Sequence, residues 1–208
     1  MIILVCGYTS SGKSTVARHL AKKLNYSIVH TSDVLRKMLT NQKVDVKKTK
    51  MQKGWYEKST KSFDQRKKDF SFDKKLDRYL ISLIKDNPQM VFDSSTLPYL
   101  IKKKKGVIRI WLKATQKKRA ERMAKRNNMV FDETIKILKN KDKFNINHYK
   151  EIYGFELGRD LSVFDYVLDT TKIDQKQVLD SVYSFVKEKI KWFLWSTILF
   201  QKKEWMIR

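Results

Sequence analysis

The chain opens on a strand-length apolar run, Met1-Ile2-Ile3-Leu4-Val5-Cys6, that breaks at once into Gly7-Tyr8-Thr9-Ser10-Ser11-Gly12-Lys13-Ser14. Those eight residues satisfy G-x-x-x-x-G-K-[ST] at every fixed position. From Thr15 onward, Val16, Ala17, Leu20, Ala21 and Leu24 fall on one face of a helix. A buried strand, a tight glycine loop and a helix start must therefore follow one another without a break. Glycine at both ends lets the loop curl so that its N–H groups converge on an anion at the positive end of the helix. Lys13 can then reach the β- and γ-phosphates of a nucleotide, and the Ser14 hydroxyl can ligate Mg²⁺. Gly7, Tyr8, Thr9, Ser10, Ser11, Gly12, Lys13, Ser14 and Thr15 are expected to hold a nucleoside triphosphate.

The 208 residues give room for one domain with a small insert, and an apolar fraction of 41% is enough for a core. The single cysteine, Cys6, excludes a disulfide framework and a cysteine-rich zinc site, and reads as a buried core residue. No stretch reaches the roughly 20 apolar residues of a membrane span. The opening run is too short and lacks the charged flank of a signal peptide, so a cytoplasmic protein is expected. The net charge of +24 suits anionic ligands, but lysine outnumbers arginine threefold and is spread along the whole chain. Such a diffuse field predicts at most nonspecific RNA binding.

Further short strands are expected at Ser27–His30, Met90–Phe92, Val107–Leu112 and Tyr166–Leu168. Helices are expected near 32–40, 76–84, 115–126 and 132–153, the last with Asp132 as N-cap. Asp174 with Gln177 reads as a capping box for a final long helix. Strands alternating with helices predict a three-layer α/β fold with a five-stranded parallel sheet. In such a sheet ligands sit beyond the carboxyl ends of the strands, where Gly7, Ser32, Asp93 and Thr170 should fall. The two long stretches without a strand, 33–87 and 115–160, are expected to cover that edge as flaps. Between Lys43 and Lys75 basic and aromatic residues interleave, Trp55 and Tyr56 among them, as in single-strand binders.

Several blocks together resemble the nucleoside monophosphate kinases, and among them the archaeal type of cytidylate kinase. They are the glycine loop, Ser32-Asp33-Val34-Leu35-Arg36, Asp73-Lys74-Lys75-Leu76-Asp77, Ile110-Trp111-Leu112-Lys113-Ala114, Arg119-Ala120-Glu121-Arg122, Tyr149-Lys150-Glu151-Ile152-Tyr153-Gly154 and Asp160-Leu161-Ser162-Val163-Phe164-Asp165. The resemblance covers most of residues 1–190 and implies a P-loop kinase core. Its acceptor-binding insert would span about 33–87 and its lid about 115–160. It implies transfer of the γ-phosphoryl of ATP to CMP or dCMP, with Mg²⁺ held by Ser14 and, through water, by Asp93. Lys13, Arg122 and Arg126 would act on the transferring phosphoryl. Arg119, Arg122 and Arg126 share one helix face, which itself suggests a phosphate-binding use. Thr170 and Thr171 would wrap the adenine. Asp33, Arg36, Asp73, Asp77 and Ser95 would form the acceptor pocket, although Asp73 and Asp77 are also spaced to pair with helix lysines.

The chain departs from that family pattern at four places. Ser94-Ser95 stands where Gly-Arg is usual, and Ser32 where Gly is usual. Lys141 and His148 replace arginines of the second lid helix, where Arg-to-Lys is not a conservative change. Lys139, Lys141 and Lys143 are candidates to take over phosphate contacts, and His148 reads as a surface residue. These departures keep open another acceptor on the same fold (AMP, UMP or an RNA group), or an ATP- or RNA-binding relative without transfer activity. Residues 191–208 run past the resemblance, with seven large apolar side chains between Trp192 and Phe200. That tail is expected to pack on the chain's own body, to pair with a partner or second copy, or to lie in a membrane interface.

Overall fold

A computed structural model describes residues 1–39, 66, 69–102 and 105–205, with side chains described as far as Ser196. Trp55, Tyr56 and most of the 43–75 stretch lie outside the described residues.

Five strands form one parallel sheet: β1 (Ile2–Gly7), β2 (Ser27–His30), β3 (Met90–Asp93), β4 (Val107–Lys113) and β5 (Tyr166–Asp169), in the order β2-β3-β1-β4-β5. Every pairing is parallel. The central β1 is buried along its whole length. Its Ile3 and Val5 face one layer and Ile2 and Leu4 the other, which is why it reads as a continuous apolar run and not as an alternation.

On one face lie α1 (Lys13–Leu24) and α7 (Gln175–Trp205), packed through Val16, Leu20, Val178, Val182 and Val186. On the other lie α2 (Thr31–Leu39) and α3 (Ser71–Asp86), packed through Val34, Leu76, Leu80 and Ile84. The expected three-layer architecture is present. The capping box closes the start of α7: Gln177 N donates to Asp174 Oδ1 at 2.8 Å and Asp174 N to Gln177 Oε1 at 2.9 Å.

A short helix, α4 (Leu97–Leu100), follows β3. Ser94 Oγ accepts from Thr96 N and Leu97 N at its start, so this departure from the family pattern serves as a local cap. The antiparallel pair α5 (Gln116–Asn127) and α6 (Phe131–Tyr153) stands over the carboxyl edge. Thr115 caps α5 by accepting from Lys118 N. Asp132 does not cap α6. Val130 occupies that position, and Asp132 and Glu133 sit inside the first turn, where carboxylates favour the positive helix end.

Candidate active site

The loop after β1 needs glycine for steric reasons that can be located. Gly7 has φ +142°, and a Cβ there would lie 2.4 Å from the Leu112 carbonyl oxygen on β4. Gly12 has φ +108° and leads directly into α1. Lys13 Nζ donates to the Tyr8 carbonyl at 2.9 Å, bracing the loop from within. The Ser10 and Ser11 hydroxyls are buried in the loop with no protein partner, as expected where a ligand supplies the missing bonds.

Two cavities flank this loop. The inner one, about 190 Å³, is walled by Thr9, Ser10, Lys13 and Ser14 of the loop and by Thr31, Ser32, Leu35 and Arg36 of α2. Arg66, Asp73, Leu76 and Asp77 form its floor, Asp93, Ser95 and Thr96 follow β3, and Arg126, Lys141, Asn145 and Tyr149 descend from the helical pair. The outer one, about 520 Å³, lies between Ser10, Ser11, Gly12 and Thr15 of the loop, Arg122, Arg126 and the segment from Thr170 to Leu179. That volume is within the range of small-molecule sites. Ser10 and Arg126 line both cavities. The site therefore has two rooms meeting at the glycine loop.

The arginines of α5 divide their work. Arg126 stands at the junction of the rooms. Arg122 donates to Thr170 Oγ1 at 2.9 Å and to the Thr170 carbonyl at 2.6 Å, tying the outer wall to the helix. Arg119 is not presented to phosphates. It is buried, donating to Asp142 (2.7 Å), to the Thr9 carbonyl (3.1 Å) and to the Ala114 carbonyl (3.2 Å). The shared helix face was legible, but the first arginine on it points into the molecule and joins α6 to the glycine loop.

Of the remaining sequence-expected residues, Arg36 and Ser95 line the inner room, and Asp33 lies behind its wall, accepting from Arg36 and pairing with Lys37 at 3.3 Å. Asp73 and Asp77 do line it, and their bonds described here are not to lysines. Asp73 is held by Arg66 (2.6 and 3.0 Å) and His148 Nε2 (3.0 Å). Asp77 accepts from Thr96 Oγ1 (2.7 Å) and Tyr153 OH (2.6 Å). His148 is not the surface residue expected: it is buried, because it lies between Phe70 and Phe144 with Nε2 on Asp73 of α3. Lys139 and Lys143 are exposed and only Lys141 reaches the cavity. Tyr8 points away from both rooms, its hydroxyl on the Leu157 carbonyl at 2.7 Å. Thr171 lines neither room and bonds Asp169.

Residues 2–172 match the pattern of the cytidylate kinase-like family. The chain belongs to that family. A cytidylate kinase of Methanocaldococcus jannaschii is 29% identical over 188 residues, covering 89% of this chain and 97% of the relative. Among solved structures, an uncharacterized protein from Eubacterium ventriosum superposes with TM-score 0.64 at 14% identity, covering 90% of this chain and 98% of the other. A shikimate kinase from Bacteroides thetaiotaomicron does so with TM-score 0.55 at 12% identity, covering 92% and 98%. The likeness to these structures extends to the fold, that of the P-loop kinases, and the family makes the chain a phosphotransferase.

Arg66 of the inner room was missed by sequence reasoning, and so was His30 behind Asp93. His30, buried at the end of β2, places Nδ1 3.1 Å from Asp93 Oδ2. Its signal was positional: both residues end their strands, and they are register partners once β2 is known to lie beside β3. Burial pushes the Asp93 carboxyl up, but the bonds from His30 and Ser14 and the charge of Lys13 outweigh it and hold it below its usual range. Ser14 Oγ donates to the same oxygen at 2.5 Å, so hydroxyl and carboxylate converge under the loop. No group of three or more His, Cys, Asp or Glu is placed to hold a metal among the described residues. That donor set fits Mg²⁺, which keeps its waters and takes one or two protein oxygens beside substrate phosphates.

Proposed function

We propose that the chain transfers the γ-phosphoryl of ATP to CMP or dCMP. The observation that carries this reading is the meeting of the two rooms at Ser10 and Arg126, with Lys13 on the inner side of that junction, since in-line transfer needs donor and acceptor phosphates on either side of one cationic point. ATP occupies the outer room, its base against Ile173 and Val178 and the backbone at Thr170, with its β- and γ-phosphates in the loop on Lys13. Ser14 and, through water, Asp93 hold Mg²⁺, which neutralises charge on the phosphate oxygens when bound. His30 and Ser14 keep the Asp93 carboxylate ionised and oriented toward that position.

The acceptor occupies the inner room, its phosphate within reach of Arg36, Arg126 and Lys141. Lys141 takes the part of an arginine as a point charge. Asp77 lies in the floor of the same room, where a carboxylate oxygen can accept from the exocyclic amine of cytosine. Uracil presents a carbonyl at that position and would be repelled, so Asp77 favours CMP over UMP. The cytidylate kinase identity of the relatives supports the same choice.

An ADP-release assay with Mg²⁺ and ATP over all nucleoside monophosphates and bulk tRNA tests the proposal. Turnover is expected with CMP and dCMP, at least about tenfold above UMP in kcat/KM, the order of one net hydrogen bond. Turnover on tRNA but on no monophosphate would refute it.

A further inference from the structure

In an all-parallel sheet with helical crossovers, every helix that feeds a strand ends at the amino edge, opposite the catalytic one. The last turns of α1 and α3 lie there, and so does the segment before β4. Exposed Lys22, Lys23, Lys85, Lys102 and Lys105 gather on this edge, against Asp86. Helix α7 reaches the same place. It starts at the outer room, where Gln175 and Val178 are wall residues, and arrives at Gly106 with Phe193. That is about 27 Å along a helix at 1.5 Å per residue.

Phe193 is the last described anchor of α7 on the body, 3.8 Å from the Cβ position of Gly106, with the Lys105 ammonium over its ring. Ile190 packs on the core in the turn before. Among the described apolar side chains from Ile190 onward, packing on the chain's own body thus accounts for these two. Trp192, Leu194 and Trp195 are 64%, 56% and 62% exposed, and the sequence continues Ile198-Leu199-Phe200. The other exposed large hydrophobic side chains among the described residues, Val130 before α6 and Val167 on β5, lie in other parts of the chain.

Charge decides what covers this ridge. Lys187, Lys189 and Lys191 precede it and Lys202 and Lys203 follow it, with Glu188 and Glu204 as the acids of that stretch. A second copy would bring another +24 and another lysine-flanked tail to the contact, and net charge of that size keeps like molecules apart. An anionic lipid surface is complementary on both counts: indole rings settle at headgroup level, and flanking lysines meet the negative leaflet. No helix among the described residues is long and apolar enough to cross a membrane, so α7 would lie on the surface.

We propose that the exposed face of α7 carried by Trp192, Leu194 and Trp195 docks the chain on an anionic membrane surface, with both rooms of the site at the opposite edge facing solution. The test is flotation of the full chain with phosphatidylcholine vesicles, pure or carrying about a quarter phosphatidylglycerol. The chain should float with the anionic vesicles only, lose affinity as salt rises, and shift its tryptophan emission to the blue. A Trp192→Ser, Trp195→Ser double variant should bind at least about tenfold more weakly, with wild-type kcat showing that it is folded. Three results would overturn the proposal: no flotation of the wild-type chain, equal flotation of the double variant, or a dimer that the double variant breaks while neither protein binds vesicles.

Discussion

Lys13 and Lys141 both line the inner room. Lys13 is braced by the Tyr8 carbonyl, so Lys13→Ala should leave the fold intact and remove at least about 3 kcal/mol of transition-state stabilisation, the scale of one preorganised contact. Wild-type kcat/KM in that variant would contradict the role given to the loop. Burial, together with the charges of Lys13, Arg66 and Arg126, pushes the Lys141 ammonium down to about 7 from an ordinary 10.5. Between those values the unfolded chain binds more protons than the folded one, so stability rises with pH across that window through this group. A bound phosphate reverses the balance by favouring the charged form. CMP binding near pH 8 should therefore take up a proton, seen as a buffer-dependent heat in calorimetry, and Lys141→Met should abolish the uptake. Identical proton uptake in both proteins would show that Lys141 does not meet the phosphate.

The elements themselves were largely legible. The strand–loop–helix opening, the periodicity of α1 and α3 and the capping box of α7 are local patterns, and local patterns survive folding. What was hidden depends on partners far away in sequence. His148 looks like one more polar residue on a lysine-rich helix, but Asp73, its partner, lies 75 residues earlier. With Arg66 they form a buried cluster, built on the Arg66–Asp73 ion pair and the His148–Asp73 hydrogen bond, that joins α6 to α3 across the inner room. Burial opposes ionisation of Asp73, yet the bonds from His148 and Arg66 prevail and lower its pKa. Its contribution to stability is thus present above the ordinary value of 3.8 and is lost as pH falls through the lower folded value. Arg66→Met strands a buried carboxylate and should cost about 3–5 kcal/mol in urea unfolding. A loss comparable to that of an exposed substitution, within about 0.5 kcal/mol, would mean that the cluster does not bear on stability.

At the scale of the whole molecule, the alternation of strands and helices was enough to predict a parallel sheet, but not the order β2-β3-β1-β4-β5. Strand order is settled by packing on both faces. Without it the pairing of His30 with Asp93, and the gathering of lysines on the amino edge, could not be read. The separation of an ATP site from an acceptor pocket was implied by the family resemblance, but where the two meet was out of reach, because that junction arises where the α5–α6 pair comes down over the glycine loop between the ends of β1 and β3. Those two rooms are what separate phosphoryl transfer to a nucleotide from simple hydrolysis. Chromatographic quantification of the products from ATP, CMP and Mg²⁺ tests this most directly. CDP and ADP should appear in equal amounts, with negligible ADP when CMP is left out. ADP formed without CDP, or no product from either nucleotide, would contradict it.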